Sequence, residues 1–418
     1  MSRLATIALC IAAAVALALV LLLLWLFDPR LPAGLAARDF TGSGTLSREE
    51  AGPLLRRDFD AIDRDSSGDL DGRELRRYIL VDALSSRGRA LNVPPLPTDR
   101  DAAALRSWLA GPVEQGRLRG AGMLLLRNGE VVFEHTVGEF DPDAPHPLGT
   151  ASTWPAALTL GCLAERGLMD LALPLERLHE DLPAGWGRMR AQEMLAHVAG
   201  APAVTAADFS QDTGLETAAR AIMARYPPEL PGREMRFGTA GYQVLGWLAE
   251  ARSERSWRRM FIECLGWPMS LDSAGWGHPV TGPRSEGFLS PGLGLYLSMA
   301  DYGRILAMLQ QSGRFHGVAI LSPETLAELE RDRVGELPRV DLPHGVANDW
   351  GHAAGAWCER RDADGACRRL LSPGSYGSLA WLDRDSGLAG VVVTLDSTVR
   401  VWDWLLATRA VAEQTRLD

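Results

Sequence analysis

The sequence contains no lysine: all 43 of its basic residues are arginine. Arginine stays protonated at any physiological pH, so no side-chain amine of this chain can take a proton as a general base. Positive charge is in deficit overall. The formal net charge is -10 and no basic stripe runs along the chain, which speaks against a nucleic-acid partner. Cysteine is sparse, with five residues and no CxxC or Cys/His spacing, so the sequence offers no zinc site.

What is present is an ordinary globular composition, 46% hydrophobic and 23% charged, over 418 residues. That length allows a sizeable core and more than one folding unit. The long apolar run stands at the start, uninterrupted from Leu4 to Phe27. At about 1.5 Å per residue it is long enough to cross a bilayer core of roughly 30 Å. A cleavable signal would carry a shorter apolar region and a clear small-residue cleavage site. The expectation is therefore an uncleaved membrane anchor over residues 1–28, with the body held outside, periplasmic or extracellular. Cys358 and Cys367 flank the turn-rich "ERRDADGA" and could close a hairpin by disulfide, whereas Cys162 and Cys264 read as buried thiols in helical segments.

Behind the anchor, "DRDSSGDLDGRE" places Asp63, Asp65, Ser67, Asp69 (through its carbonyl), Asp71 and Glu74 in the slots where a calcium loop needs oxygen ligands. Gly68 stands at the sharp turn and Leu70 at the apolar eighth place. Twenty-four residues earlier "DFTGSGTLSREE" repeats the pattern with Asp39, Thr41, Ser43, Thr45, Ser47 and Glu50, around Gly44 and Leu46. Only two carboxylates remain there, so its affinity should be low. The two loops resemble an EF-hand pair, a small all-α module over residues 29–90, with Ca²⁺ as its expected cofactor in a structural role. The proline-rich residues 91–99 read as a linker.

From residue 100 to 418 helices and strands alternate. "AGMLLLRNGEVVFEHTVGEF" is a hairpin around Asn128-Gly129, and "GSLAWLDRDSGLAGVVVTL" is a second, followed by the amphipathic "VWDWLLATRAVAEQTRL". An α/β (α+β) domain follows: an antiparallel sheet made from both ends of the segment, helices on its faces and a helical lobe inserted between. Several stretches in order, "ASTWPAALTLGCLAERGLMDLALPLERLHEDLP", "RAQEMLAHVAGAP", "PGREMRFGTAGYQVLGWLAEA" and "SPGSYGSLAWLDRDSGLAGVVV", are similar to the serine β-lactamase and penicillin-binding-protein-like hydrolase family. The resemblance implies a β-lactamase/transpeptidase-like fold and a site built from three motifs: a Ser-x-x-Lys helix tip, a Tyr-x-Asn segment and a Lys/His-Thr-Gly strand.

On that pattern Ser152 is the candidate nucleophile, but Thr153, Trp154 and Pro155 follow it without a lysine. The second motif falls on Phe237, Gly238 and Thr239, losing phenol and amide. The third falls on Ser372, Pro373 and Gly374. A serine hydroxyl without a neighbouring base is a poor nucleophile, since general-base help contributes roughly 10²–10⁴-fold. His197, His352, Tyr242 and Tyr376 are the remaining side chains that could stand in for one. "STWP" equally makes a good helix start, with Ser152 as N-cap and proline in the first turn. The expected function is a membrane-anchored serine hydrolase-like protein with degenerate motifs, a pseudoenzyme or a binder of a peptide or cell-wall ligand. Two alternatives stand beside it: an active esterase, peptidase or amidase using Ser152 with a non-lysine base, and a calcium-dependent interaction module.

Overall fold

The computed structural model describes residues 26–32, 39, 41–48, 50–51, 59–78, 90–201, 214–226, 231–278, 282–283, 289–340, 342–343 and 345–417. It divides into two compact units, Met1–Gly88 with Val280–Gly282, and Arg89–Pro279 with Pro283–Asp418. Residues 1–25 of the expected anchor lie outside the described residues, and among the described residues no helix is long and apolar enough to cross a membrane.

In the first unit, strand β1 (Leu46–Ser47) pairs antiparallel with β2 (Asp69–Leu70), and helix α1 (Phe59–Ile62) leads into the second loop. Leu46 faces Leu70 across this ladder, and both are fully buried with Phe59, Ile62 and Leu75. The apolar eighth residue of each loop is thus what ties the two loops together. Most of the helix expected between them, residues 52–58, lies outside the described residues.

The second unit opens with helix α2 (Ala102–Glu114), whose N-cap Asp101 accepts a hydrogen bond from Ala104 N. Strands β3 (Gly120–Arg127) and β4 (Glu130–Gly138) form the expected first hairpin. Asn128 (φ 54°) and Gly129 (φ 85°) both adopt the left-handed conformation that a two-residue primed turn demands. The short β5 (His146–Pro147) and a 3₁₀ turn over Gly149–Ser152 lead into helix α3 (Thr153–Glu165). The helical lobe then carries α4 (Ala191–Leu195), α5 (Leu215–Arg225), β6 (Met235–Arg236), α6 (Ala240–Ser253) and α7 (Trp257–Phe261). Strands β7 (Gly275–His278) and β8 (Leu295–Leu297), helices α8 (Met299–Gln310) and α9 (Pro323–Leu329), and β9 (Arg339–Val340) return the chain to the sheet. There β10 (Gly351–His352), β11 (Trp357–Arg361), β12 (Cys367–Gly374), β13 (Ser378–Asp383) and β14 (Leu388–Thr394) precede the final helix α10 (Thr398–Gln414).

The main sheet runs β10-β11-β12-β13-β14-β3-β4, antiparallel throughout, so strands from both ends of the unit meet at β14 and β3. It has a core on each face, which is why β3 and β14 are apolar at nearly every position rather than alternating with polar residues. Ala121, Met123, Leu125 and Val392 pack toward α2 and α10, while Leu124, Leu126, Val391 and Val393 pack toward α8 and the helical lobe. Helix α3 is buried from Thr153 through Leu163, as an all-round apolar helix must be.

The cysteines correct one expectation and meet another. Cys358 and Cys367 are bonded across the β11–β12 hairpin, as their spacing allows. Cys162 and Cys264 are not free thiols; they are bonded to each other, tying α3 to the segment after α7.

Candidate active site

Ser152 does not stand at an opening. It is fully buried, its backbone is helical, and its side chain caps nothing. Its Oγ instead accepts a hydrogen bond from Leu295 N at 3.2 Å, seaming the helix tip to β8. The side-chain N-cap expected of Ser152 is not formed; its hydroxyl is held instead by a strand 143 residues away in sequence.

The hydroxyl that faces the third-motif strand belongs to Thr150, which is half-buried. Thr150 Oγ1 donates to Pro373 O at 2.9 Å and lies 3.3 Å from Ser375 Oγ. Thr150 N donates to the same Ser375 Oγ at 3.4 Å, and Ser375 is exposed. Three residues after Thr150 comes Thr153, buried, with Oγ1 in contact with two carbonyls, Thr150 O and Gly355 O, each at 2.8 Å. Thr150 and Thr153 thus have the i, i+3 spacing that Ser-x-x-Lys requires, with a hydroxyl in place of each functional group. The family pattern read along the chain passes over Thr150 and Ser375. The i, i+3 threonine pair in "TAST" is the available signal, but the neighbouring serine draws the assignment two residues downstream.

Ser372 and Gly374 lie on β12, where Gly374 pairs with Ser378 on β13. A Cβ at position 374 would fall 2.3 Å from both Leu148 O and Ser378 Oγ, so the strand approaches the helix tip too closely for any other residue. Phe237 stacks on Trp357 at 5.2 Å, and Thr239 is buried at the start of α6.

None of the alternative bases faces Thr150 or Ser152 as a hydrogen-bond partner. Tyr242 is fully buried and donates to Leu195 O at 2.7 Å, and burial pushes its phenol well above the ordinary value. Tyr376 is pushed up to about 12 by burial. His197 and His352 face each other edge-on, ring centroids 4.6 Å apart, walled by Phe237 and Trp357. His197 Nδ1 accepts from Gly238 N at 3.4 Å, so the proton of the neutral ring sits on Nε2. His352 Nδ1 donates to Ala353 O at 2.5 Å. Burial depresses both: His197 well below the usual range, and His352 to about 4 against opposing pulls from Ala353 O and Asp332. This is a neutral structural pair joining the second-motif segment to β10.

A cavity of about 630 Å³ opens at the other end of α3, beside Ala164 and Gly167, with Met169, Leu178 and Leu329 among its walls. Neither Thr150 nor Ser375 is among its walls.

In the first unit the loop geometry suits a cation. Gly44 (φ 81°) and Gly68 (φ 87°) make the left-handed turns that fold each loop back on itself. Carboxylate oxygens of Asp63, Asp65 and Glu74 lie within 4.8 Å of one another. Asp63 accepts from Ser67 N and Gly68 N, Ser67 Oγ donates to Asp69 O, and Asp71 accepts from Glu74 N. Glu74 reaches across to accept from Arg64 N and Asp71 N. The first loop repeats this with Asp39 accepting from Thr41 Oγ1, Ser43 N and Gly44 N, Ser43 Oγ donating to Thr45 O, and Glu50 accepting from Thr41 N and Ser47 N. Hydrogen bonds, chiefly from Gly44 N–H to Asp39 and from Ser67 to Asp65, hold these two carboxyls below their ordinary range, in the ionised form that a hard cation requires.

The comparisons with known proteins agree with this architecture. Residues 105–411 match the family model described as Beta-lactamase. Among solved structures, a candidate β-lactamase from Bacteroides dorei is similar at a TM-score of 0.65 and 23% identity, covering 74% of this chain and 98% of that one. An octameric penicillin-binding protein homologue from Pyrococcus abyssi aligns at TM-score 0.60 and 18% identity over 75% and 77% of the two chains. EstCE1, a hydrolase with promiscuous acyltransferase activity, aligns at 0.59 and 17% over 74% and 97%. No curated protein sequence matches the chain. The seven-stranded antiparallel sheet, the buried helix α3 and the family match over most of its length place this chain in the β-lactamase family of serine hydrolases.

Proposed function

We propose that this protein keeps the family's body and has lost its acyl-transfer chemistry, so that the cleft binds a ligand, a peptide or cell-wall fragment, without turning it over. The observation that carries the reading is the helix tip. Thr150 Oγ1 donates its hydrogen bond to Pro373 O, and the residue one turn on, Thr153, has no amine and lies against two carbonyls. An alcohol attacks a carbonyl carbon only as its proton leaves, and among the described residues no side-chain base is hydrogen-bonded to either Thr150 or Ser152. The competing reading is an active esterase, peptidase or amidase, supported by the similarity to EstCE1, a hydrolase with promiscuous acyltransferase activity. Incubating the full chain with a fluorophosphonate and, separately, a penicillin, then mapping adducts by mass spectrometry, decides between them. The expected result is no adduct; acylation or phosphonylation of Thr150, Ser152 or Ser375 overturns the proposal.

The same proposal assigns Ca²⁺ to the first unit. Asp63, Asp65, Ser67, Asp69, Asp71 and Glu74 would hold it, and the weaker loop would add Asp39, Thr41, Ser43, Thr45 and Glu50. The metal would lock the paired loops; it takes no part in any reaction of the cleft. Residues 4–27 would anchor the chain in a membrane with its body outside, where two disulfide bonds persist in an oxidising compartment.

A further inference from the structure

Directly behind the helix tip, where the sheet meets the helical lobe, lies a small cavity bordered by Leu148 and Ala151 of the tip, Tyr302 of α8, and Ser372, Ser378 and Val393 of the sheet. The space it leaves for a water-sized sphere is about 10 Å³, close to the volume that one water molecule needs. Two hydroxyls on its wall, Tyr302 Oη and Ser378 Oγ, are buried and have no hydrogen-bond partner among the described residues. Their residues are 2% and 4% exposed. Ser372 lies near enough to Tyr302 to pull against the rise that burial imposes on the phenol, but not in bonding geometry. An unpartnered hydroxyl in such a place is costly, on the order of 1–3 kcal/mol, and two on one wall share one remedy.

We propose that this cavity is a binding site for a single structural water that bridges Tyr302 Oη and Ser378 Oγ. Its position gives it consequence. Ser378 Oγ and Leu148 O of the tip both lie 2.3 Å from where a Cβ on Gly374 would fall, so the Ser378 side chain borders the point where β12 meets the tip. The water is thus part of the seam between β12, β13 and the tip, filling a gap between two hydroxyls that have no hydrogen-bond partner among the described residues.

A high-resolution crystal structure of the full chain tests this directly, together with a solution count of long-lived internal waters by oxygen-17 relaxation dispersion. In the unsubstituted protein one solvent peak should sit within hydrogen-bond distance of both oxygens. The double variant Tyr302→Phe, Ser378→Ala should lose that peak and one long-lived water. A direct Tyr302–Ser378 hydrogen bond with no peak between them, or a peak that persists unchanged in the double variant, overturns the proposal. Should the double variant not fold, the solvent peak in the unsubstituted crystal structure is decisive by itself, its presence supporting the proposal and its absence overturning it.

Discussion

Thr150 Oγ1 and Ser375 Oγ lie 3.3 Å apart, one on the turn before α3 and one at the end of β12, 225 residues away in sequence. This contact, and not Ser152, marks where the helix tip meets the third-motif strand. It separates two hydroxyls that stand two residues apart in sequence: one half-buried against β12, one inside the core.

Ser152→Ala should therefore behave as a core substitution. Removing Oγ leaves Leu295 N–H buried without its acceptor, and the expected loss is about 1–3 kcal/mol of unfolding free energy. Background hydrolysis of nitrophenyl acetate should not change. Urea unfolding beside the ester assay checks both, and a stable variant with altered hydrolysis would restore Ser152 as a reactive group.

The glycine that lets α3 meet the β10–β11 turn should be equally intolerant. Gly355 has φ 79°, and a Cβ there would fall 2.3 Å from Thr153 O. Gly355→Ala should cost at least about 2 kcal/mol from strain and displacement together. Thermal unfolding would show it, and an unchanged midpoint would mean that the turn is not held against α3.

The two histidines set a sign for acid stability. Both are buried neutral, with folded pKa values below the ordinary 6.5, so the unfolded chain binds their protons more readily. Their neutral burial is fully compatible with folding above pH 6.5, and stability should fall as pH drops from there toward 4, where His352 titrates in the folded state. Of the groups around the pair, Asp332 opposes the shift of His352 and Tyr242 stays neutral. The urea midpoint measured across that window should slope downward with acid, and His352→Phe should flatten it. A flat profile in the unsubstituted chain would refute the assignment.

Calcium should act through the second loop. Titration calorimetry of the full chain should show calcium heat that Glu74→Gln weakens by roughly tenfold or more, because the twelfth-position carboxylate is the expected bidentate ligand. Glu50→Gln should have the smaller effect, its loop having carboxylates at only two ligand positions, Asp39 and Glu50. Equal effects of the two substitutions would place the main site elsewhere.

The disulfides differ in the loop they close. Cys162 and Cys264 are 102 residues apart and Cys358 and Cys367 only 9. Chain-entropy reasoning gives about 4–5 kcal/mol for the long loop and about 2–3 for the short one. Denaturant unfolding of the two Cys→Ala double variants should preserve that order, and a larger loss from the short hairpin would contradict it.

Some of this molecule is settled by neighbours along the chain. Asn128-Gly129 makes its turn because those two residues accept positive φ, and Gly44 and Gly68 bend their loops for the same reason. The apolar stretches of β3 and β14 announce strands covered on both faces, and the order of segments is enough to name the family resemblance. Such signals are local, so they survive in the sequence unaltered. The site is not local. Whether Ser152 or Thr150 meets the third-motif strand depends on Leu295 and Ser375, and whether Cys162 is a thiol or half of a bond depends on Cys264. Whether His197 is a base or a packed ring depends on His352 and Trp357. Each choice is made by burial and by a partner far away in sequence, and one residue's rotation about the helix axis is enough to reverse it. Tertiary packing alone decided those.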